Sequence, residues 1–206
     1  MSSNAIVHLI DDDEDVRRAL AFLLGTAGMA VRVYESASAF LEQDVSSIAG
    51  CIVSDVRMPG VDGLELLRRL KVAGVRLPVV VMTGHADVPL AVEAMKLGAV
   101  DFIEKPFPDD ILLGSIEAAL ARSETGGQDS AESERVRARL QSLTSREREV
   151  LKGLLTGHPN KTIAYDLSLS PRTVEVHRAN LMTKMGASSL PELVRMTLMA
   201  GNFAPD

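Results

Sequence analysis

The sequence predicts an α/β doubly wound domain with a parallel sheet, followed by an all-α helix-turn-helix domain. Three observations carry this. Short runs rich in valine and isoleucine alternate with helical patterns as far as Leu120. A stretch free of apolar residues, Ser123 to Ser130, then interrupts the chain. Beyond Leu143 the apolar residues keep helical spacing throughout. Strand alternating with helix implies a parallel sheet covered on both faces.

The strands are predicted at Ile6 to Ile10, Met29 to Tyr34, Gly50 to Val56, Leu77 to Met82 and Val100 to Ile103. Between and after them, apolar spacings of three and four predict helices at Val16 to Leu24, Ala37 to Leu41, Leu64 to Leu70, Leu90 to Leu97 and Ile111 to Leu120. Gly28, Gly74 and Gly98 follow the fading of three of these patterns, as helix ends require. Residues 1–122 are the first domain, 123–142 a linker and 143–206 the second domain. Gly126-Gly127 is the natural hinge, because each glycine costs about 1 kcal/mol inside a helix. Glu132 to Leu140 mixes both charges with alanine and leucine, which allows a solvated helix that sets domain spacing.

Charge divides along the same lines. The whole chain of 206 residues has 22 basic and 28 acidic residues, a net of −6. The first 122 residues hold 11 basic against 18 acidic, a net of −7, while 143–206 holds 8 against 6, a net of +2. With 46% hydrophobic residues the chain can bury a substantial core, which excludes wholesale disorder. The single cysteine, Cys51, has no internal partner and sits in an apolar run, so it reads as a buried thiol in a reducing compartment. No apolar run approaches the roughly 18 residues of a membrane span, so a cytoplasmic protein with no membrane partner is expected.

In a doubly wound sheet the reactive site lies at the carboxyl ends of the strands. Asp11 and Asp12 follow the first strand, Asp55 ends the third, Thr83 follows the fourth and Lys105 follows the fifth. Carboxylates brought together repel unless a cation neutralises them, and a hard divalent ion such as Mg2+ suits an all-oxygen donor set. Asp55 then becomes a nucleophile toward phosphorus, with the metal and Lys105 offsetting the charge that develops, and Thr83 bonding the bound phosphoryl group. Taken singly these features have plainer readings. The acidic run from Asp11 to Asp15 suits a helix start, and Lys105-Pro106 suits a turn. Their coincidence at the correct strand ends favours the site.

Asp11-Asp12, Asp55 with Met58-Pro59-Gly60, Thr83-Gly84 and Lys105-Pro106 resemble the flavodoxin-like receiver domain of two-component response regulators. The resemblance covers about residues 4–122. It implies that Asp55 accepts a phosphoryl group from a sensor histidine kinase, and that Asp12, Asp55 and the backbone carbonyl of Arg57 hold Mg2+, with Asp11 helping through water. It places the aromatic switch position on Phe102, which has no hydroxyl and must act by packing. It also implies a homodimer after phosphorylation, with Val92 and Lys96 at the contact.

In the second domain, Thr144-Ser145-Arg146-Glu147 is a capping box ahead of Val150, Leu151, Leu154 and Leu155, and Gly157 closes that helix. A short helix from Asn160 to Leu167, the turn Ser168-Leu169-Ser170 and a longer helix from Pro171 to Met185 follow. Ser189 and Glu192 suggest a second capping box for a last helix ending at Met199. Helix, tight turn, helix is the geometry that lays a second helix in the DNA major groove, although a packing module has the same periodicity. Thr144 to Leu151, Asn160 to Ala164 and Ser170 to Arg178 resemble the LuxR-type DNA-binding domain, over about residues 140–203. On that resemblance Lys161, Arg172, Arg178 and Lys184 contact phosphates, and Thr173, Glu175, Val176 and Ala179 lie on the DNA-binding face, Glu175, Val176 and Ala179 nearest base edges.

Together the two resemblances identify the sequence with the FixJ/NarL family of response regulators. They imply a transcription activator rather than an enzyme, with no chemistry beyond its own phosphorylation and dephosphorylation. The implied partners are a FixL-like oxygen-sensing histidine kinase, double-stranded promoter DNA and RNA polymerase, with microaerobic or nitrogen-fixation genes as targets. Two other readings share these residues. One is an aspartate-dependent phosphatase, though no general acid or substrate cap is evident beside Asp55. The other is a regulator that binds DNA independently of phosphate.

Overall fold

A computed structural model describes residues 6–45, 48–84, 88–124 and 129–200. Two compact units result, one built on a sheet and one helical. The first contains five parallel strands, β1 (Ile6–Ile10), β2 (Ala30–Tyr34), β3 (Cys51–Asp55), β4 (Val79–Thr83) and β5 (Asp101–Glu104), in the order β2-β1-β3-β4-β5. That order is flavodoxin-like, and its reversal point lies between β1 and β3, where such folds bind ligands. The helices of this half of the chain are α1 (Glu14–Thr26), α2 (Ala37–Leu41), α3 (Gly63–Val72), α4 (Val88–Leu97) and α5 (Asp109–Glu124). Every strand and helix expected here is present.

The local chemistry explains the boundaries. Asp13 caps α1 by accepting from the N–H groups of Asp15 and Val16, and Asp62 caps α3 by accepting from Glu65. β3 and β4 are buried along their whole length, as central strands must be, whereas the edge strand β2 exposes Ala30, Arg32 and Val33. On one face of the sheet Val7, Leu9, Val53, Val80 and Met82 form a core with Leu20 and Leu24 of α1 and Leu112 and Ile116 of α5. Cys51 belongs to that core, and burial pushes its thiol up to about 12, so it is inert as the sequence suggested. On the other face the buried His8 donates from Nε2 to the Ala49 carbonyl at 3.2 Å and accepts at Nδ1 from the Tyr34 hydroxyl. Burial holds His8 below its ordinary pKa, with Arg32 adding to the effect and the Ala49 bond opposing it.

The helical unit comprises α6 (Asp129–Gln141), α7 (Ser145–Leu155), α8 (Asn160–Asp166), α9 (Pro171–Met185) and α10 (Leu190–Met199). Here the structure differs from the expected linker at 123–142. Helix α6 buries Val136 and Leu140, with Leu143 just beyond, and packs on α9 and α10. Its arginines also cap the ends of those two helices: Arg139 Nη1 donates to Met185 O at 2.7 Å and Arg137 Nε to Ala200 O at 3.1 Å. The helical unit therefore starts near residue 129. Mixed charges concealed a narrow apolar stripe with a spacing of four. The proposed hinge, Gly126-Gly127, lies outside the described residues.

The expected capping box of α7 forms, with Thr144 and Glu147 exchanging both bonds. That of α10 forms only in part. Ser189 accepts from Glu192 N–H, but the Glu192 carboxylate reaches back to the N–H and hydroxyl of Ser188 instead of to Ser189 N–H. Ser170 caps α9 ahead of Pro171, and Gly186 ends it with φ 65°, a conformation that suits glycine. Among the described residues no helix is long and apolar enough to cross a membrane.

Candidate functional site

At the reversal point of the sheet, Asp11 follows the last residue of β1 and Asp55 closes β3. Both are almost wholly buried, with residue exposures of 1% and 7%. Lys105, which follows β5, spans them: its Nζ donates to Asp11 Oδ2 at 2.7 Å and to Asp55 Oδ1 at 2.6 Å. The second oxygen of Asp55 accepts from Arg57 N–H at 2.6 Å, and Asp11 Oδ1 accepts from Asp13 N–H at 3.0 Å. Burial alone draws the Lys105 ammonium toward neutrality, but the two carboxylates outweigh it and leave the pKa above its ordinary value.

Backbone contacts hold this edge closed. Val56 N–H donates to Met82 O and Lys105 N–H to Thr83 O, tying the loops after β3 and β5 to β4. Thr83 itself is fully buried. The Lys105-Pro106 peptide is cis. At the start of α3 a Cβ on Gly63 would stand 2.4 Å from Asp55 O, so only glycine lets that helix approach the end of β3.

Asp12 is exposed beside Asp11, and Arg57 is exposed beyond Asp55. Among the described residues no three acidic, histidine or cysteine side chains form a ready-made cation cluster. In this arrangement the Lys105 ammonium occupies the space between the two buried carboxylates. Yet the donor chemistry fits a hard divalent ion. Two buried carboxylates share one ammonium, a third carboxylate, that of Asp12, is exposed next in the chain, and every donor among them is oxygen.

Phe102 on β5 is buried, consistent with a residue that acts only through packing. Of the two residues expected at a dimer contact, Lys96 is exposed. Val92 is buried on α4 together with Ala91 and Met95.

In the helical unit Val174, Leu181 and Met185 are the buried face of α9, leaving Arg172, Glu175, Val176 and Ala179 exposed, with Thr173 partly covered at the first turn. Val176 is an apolar side chain with half its surface open to solvent. Lys161 is exposed on α8, and Arg178 Nη1 donates to Asn160 Oδ1 at 3.3 Å. Lys184, at the far end of α9, stands apart from this set because its Nζ donates to the buried carboxylate of Glu147 at 2.8 Å.

Comparison with known proteins agrees with both halves of this description. Residues 7–117 match the response regulator receiver domain and residues 141–197 match bacterial regulatory proteins of the luxR family. The transcriptional regulatory protein FixJ of Azorhizobium caulinodans is 59% identical over 202 residues, covering 98% of this chain and 95% of that protein. The chain belongs to the FixJ family of response regulators. FixJ of Rhizobium meliloti is 54% identical over 199 residues, covering 97% of each chain. Among solved structures, full-length FixJ from B. japonicum is similar with a TM-score of 0.58 and 50% identity, over 98% of this chain and 100% of that one. The regulator thus joins a receiver domain to a LuxR-type DNA-binding domain, the architecture of phosphorylation-dependent transcription activation.

Sequence reasoning missed two features of this regulator. One is Arg17, whose guanidinium reaches the Asp11 carbonyl. The other is the ion pair between Glu147 and Lys184. For the latter the capping box marked Glu147, but nothing local marked its partner 37 residues on. For Arg17 nothing in the helical pattern of α1 distinguished it from its neighbour Arg18.

Proposed function

We propose that Asp55 receives the phosphoryl group and that its modification switches DNA binding by α8 and α9. The observation that supports this most directly is the pair of hydrogen bonds from Lys105 Nζ to Asp55 and Asp11. A buried carboxylate oxygen of Asp55 attacks the phosphorus of a phosphohistidine on a sensor kinase. The P–O bond forms as the P–N bond breaks, and the departing imidazole takes its proton from solvent. Lys105, already at hydrogen-bond distance from Asp55, follows the charge onto the phosphoryl oxygens, and Thr83 supplies a hydroxyl at the same edge. Asp11, Asp12, Asp55 and the Arg57 carbonyl would hold Mg2+, which when bound neutralises charge on the equatorial oxygens.

The new group brings about −1.5 to −2 charges to an edge that is already acidic, so the bonds of Lys105 and Thr83 must rearrange. That rearrangement biases the receiver toward a form that dimerises, with Phe102 repacking and exposed Lys96 near the contact. A dimer then reads two half-sites one helical turn or a multiple apart. Lys161, Arg172 and Arg178 bind phosphates, while Glu175, Val176, Ala179 and Thr173 face the bases. In this reading a FixL-like kinase in the cytoplasm is the donor, RNA polymerase is the downstream partner and microaerobic or nitrogen-fixation promoters are the targets. The protein's only chemistry is on its own aspartate.

Intact mass after incubation with Mg2+ and a small acyl phosphate tests the acceptor. Wild type is expected to gain one phosphoryl group and Asp55→Asn none. Adduct formation on Asp55→Asn would place the acceptor elsewhere. Repeated turnover of a phosphoester would favour the phosphatase reading.

A further inference from the structure

We infer that Arg17 is a positioning residue for metal binding at the phosphoacceptor edge, acting through the peptide that joins Asp11 to Asp12. The inference rests on the Mg2+ reading above. The Arg17 guanidinium donates from Nη1 to Asp11 O at 2.7 Å. That carbonyl belongs to the same planar peptide as the N–H of Asp12, so holding it fixes the plane from which the Asp12 side chain departs.

The rest of Asp11 is held just as closely. Its N–H donates to Tyr34 O at 3.3 Å, its Oδ1 accepts from Asp13 N–H at 3.0 Å and its Oδ2 accepts from Lys105 Nζ at 2.7 Å. Each of its polar groups therefore has a partner, three of them from the backbone or from the partly buried Lys105. Asp12 differs. It is exposed, and the Asp11 carbonyl just before it is anchored by a side chain about one turn into α1. Arg17 is only partly exposed, so its guanidinium is held against the loop rather than free in solvent.

Two effects of Arg17 on a divalent cation oppose each other. Its positive charge beside the carboxylates disfavours the cation, whereas its hydrogen bond pre-sets the loop that offers Asp12. A bond of 2.7 Å from a charged donor to the carbonyl of the buried Asp11 favours the second effect, since outer-shell partners of metal ligands commonly set affinity. A planar guanidinium also holds the carbonyl in a way that a flexible ammonium reproduces only in part.

The test is the Mg2+ dissociation constant of the full chain, measured by calorimetry for wild type, Arg17→Ala, Arg17→Gln and Arg17→Lys, with thermal midpoints as a folding control. Arg17→Ala is expected to weaken Mg2+ binding about 10-fold, at the low end for loss of an outer-shell partner. Arg17→Gln keeps an N–H donor without charge and is expected to recover part of the loss, as is Arg17→Lys. With acyl phosphate as donor, the loss should disappear at saturating Mg2+. Unchanged or tighter binding in both Arg17→Ala and Arg17→Gln would overturn the inference, tighter binding assigning Arg17 a purely electrostatic role. Failure of wild type itself to bind Mg2+ would overturn the metal reading beneath it, which sets the two failures apart.

Discussion

Lys105→Ala is expected to slow phosphoryl transfer to Asp55 by about 100-fold or more, the usual cost of removing a preorganised group that meets developing charge. The same substitution is expected to tighten Mg2+ binding. Lys105 Nζ stands 2.6 Å from Asp55 Oδ1 and 2.7 Å from Asp11 Oδ2, so its ammonium competes with a divalent ion for the same two carboxylates. Removing it leaves two buried negative charges facing each other, which a cation relieves. Opposite movements of rate and metal affinity separate this role from simple damage to the fold, which would lower both. Time-resolved phosphorylation at saturating Mg2+, together with metal titration of the same protein, checks both.

The second large effect concerns the helical unit. Glu147 is 3% exposed, caps α7 and receives Lys184 Nζ at 2.8 Å. Breaking a buried pair by removing one partner costs about 3–5 kcal/mol. Lys184 keeps 37% of its side chain exposed. Solvent screening therefore reduces the expected loss for Lys184→Ala to about 1–3 kcal/mol. For a domain of this size that is a fall of roughly 10 °C in midpoint, measurable by calorimetry.

The pH dependence has a definite sign. Burial tends to raise the pKa of Glu147, but the bonds from Lys184 and Thr144 outweigh it and hold the carboxyl below its ordinary 4.5. The stability it confers is present in full above that value and is lost as pH falls through the folded pKa. The gap between wild type and Lys184→Ala should therefore narrow below pH 4.5. Because the lysine is already paired, Lys184→Ala should also change the salt dependence of DNA binding less than Lys161→Ala does.

How much of this was legible in the sequence depended on the range of the interaction. The strands and α1 to α5 follow from local periodicity, and Asp11, Asp55, Thr83 and Lys105 follow from one topological rule about strand ends. Helix α6 was only half legible, because Val136 and Leu140 were its only clear apolar positions among charges of both signs. For Val92 pattern alone does not decide, because an apolar residue on an amphipathic helix serves core and interface equally well. Lys184 was assigned to DNA by its position on α9. Its partner lies 37 residues away on α7, and such a pairing has no local signature. Arg17 was invisible for the same reason, since a bond to a carbonyl leaves no trace in residue type at the acceptor.

The most direct test of the switch is the affinity of the full chain for a duplex that it selects from a random DNA pool. It is measured with and without Mg2+ and acyl phosphate, for wild type and Asp55→Asn. The phosphoryl group on Asp55 is predicted to raise wild-type affinity by about 10-fold, within the usual range for coupling between two sites, and to leave Asp55→Asn unchanged. An equal rise in both proteins, or no rise in wild type carrying one phosphoryl group, would contradict control of DNA binding through Asp55.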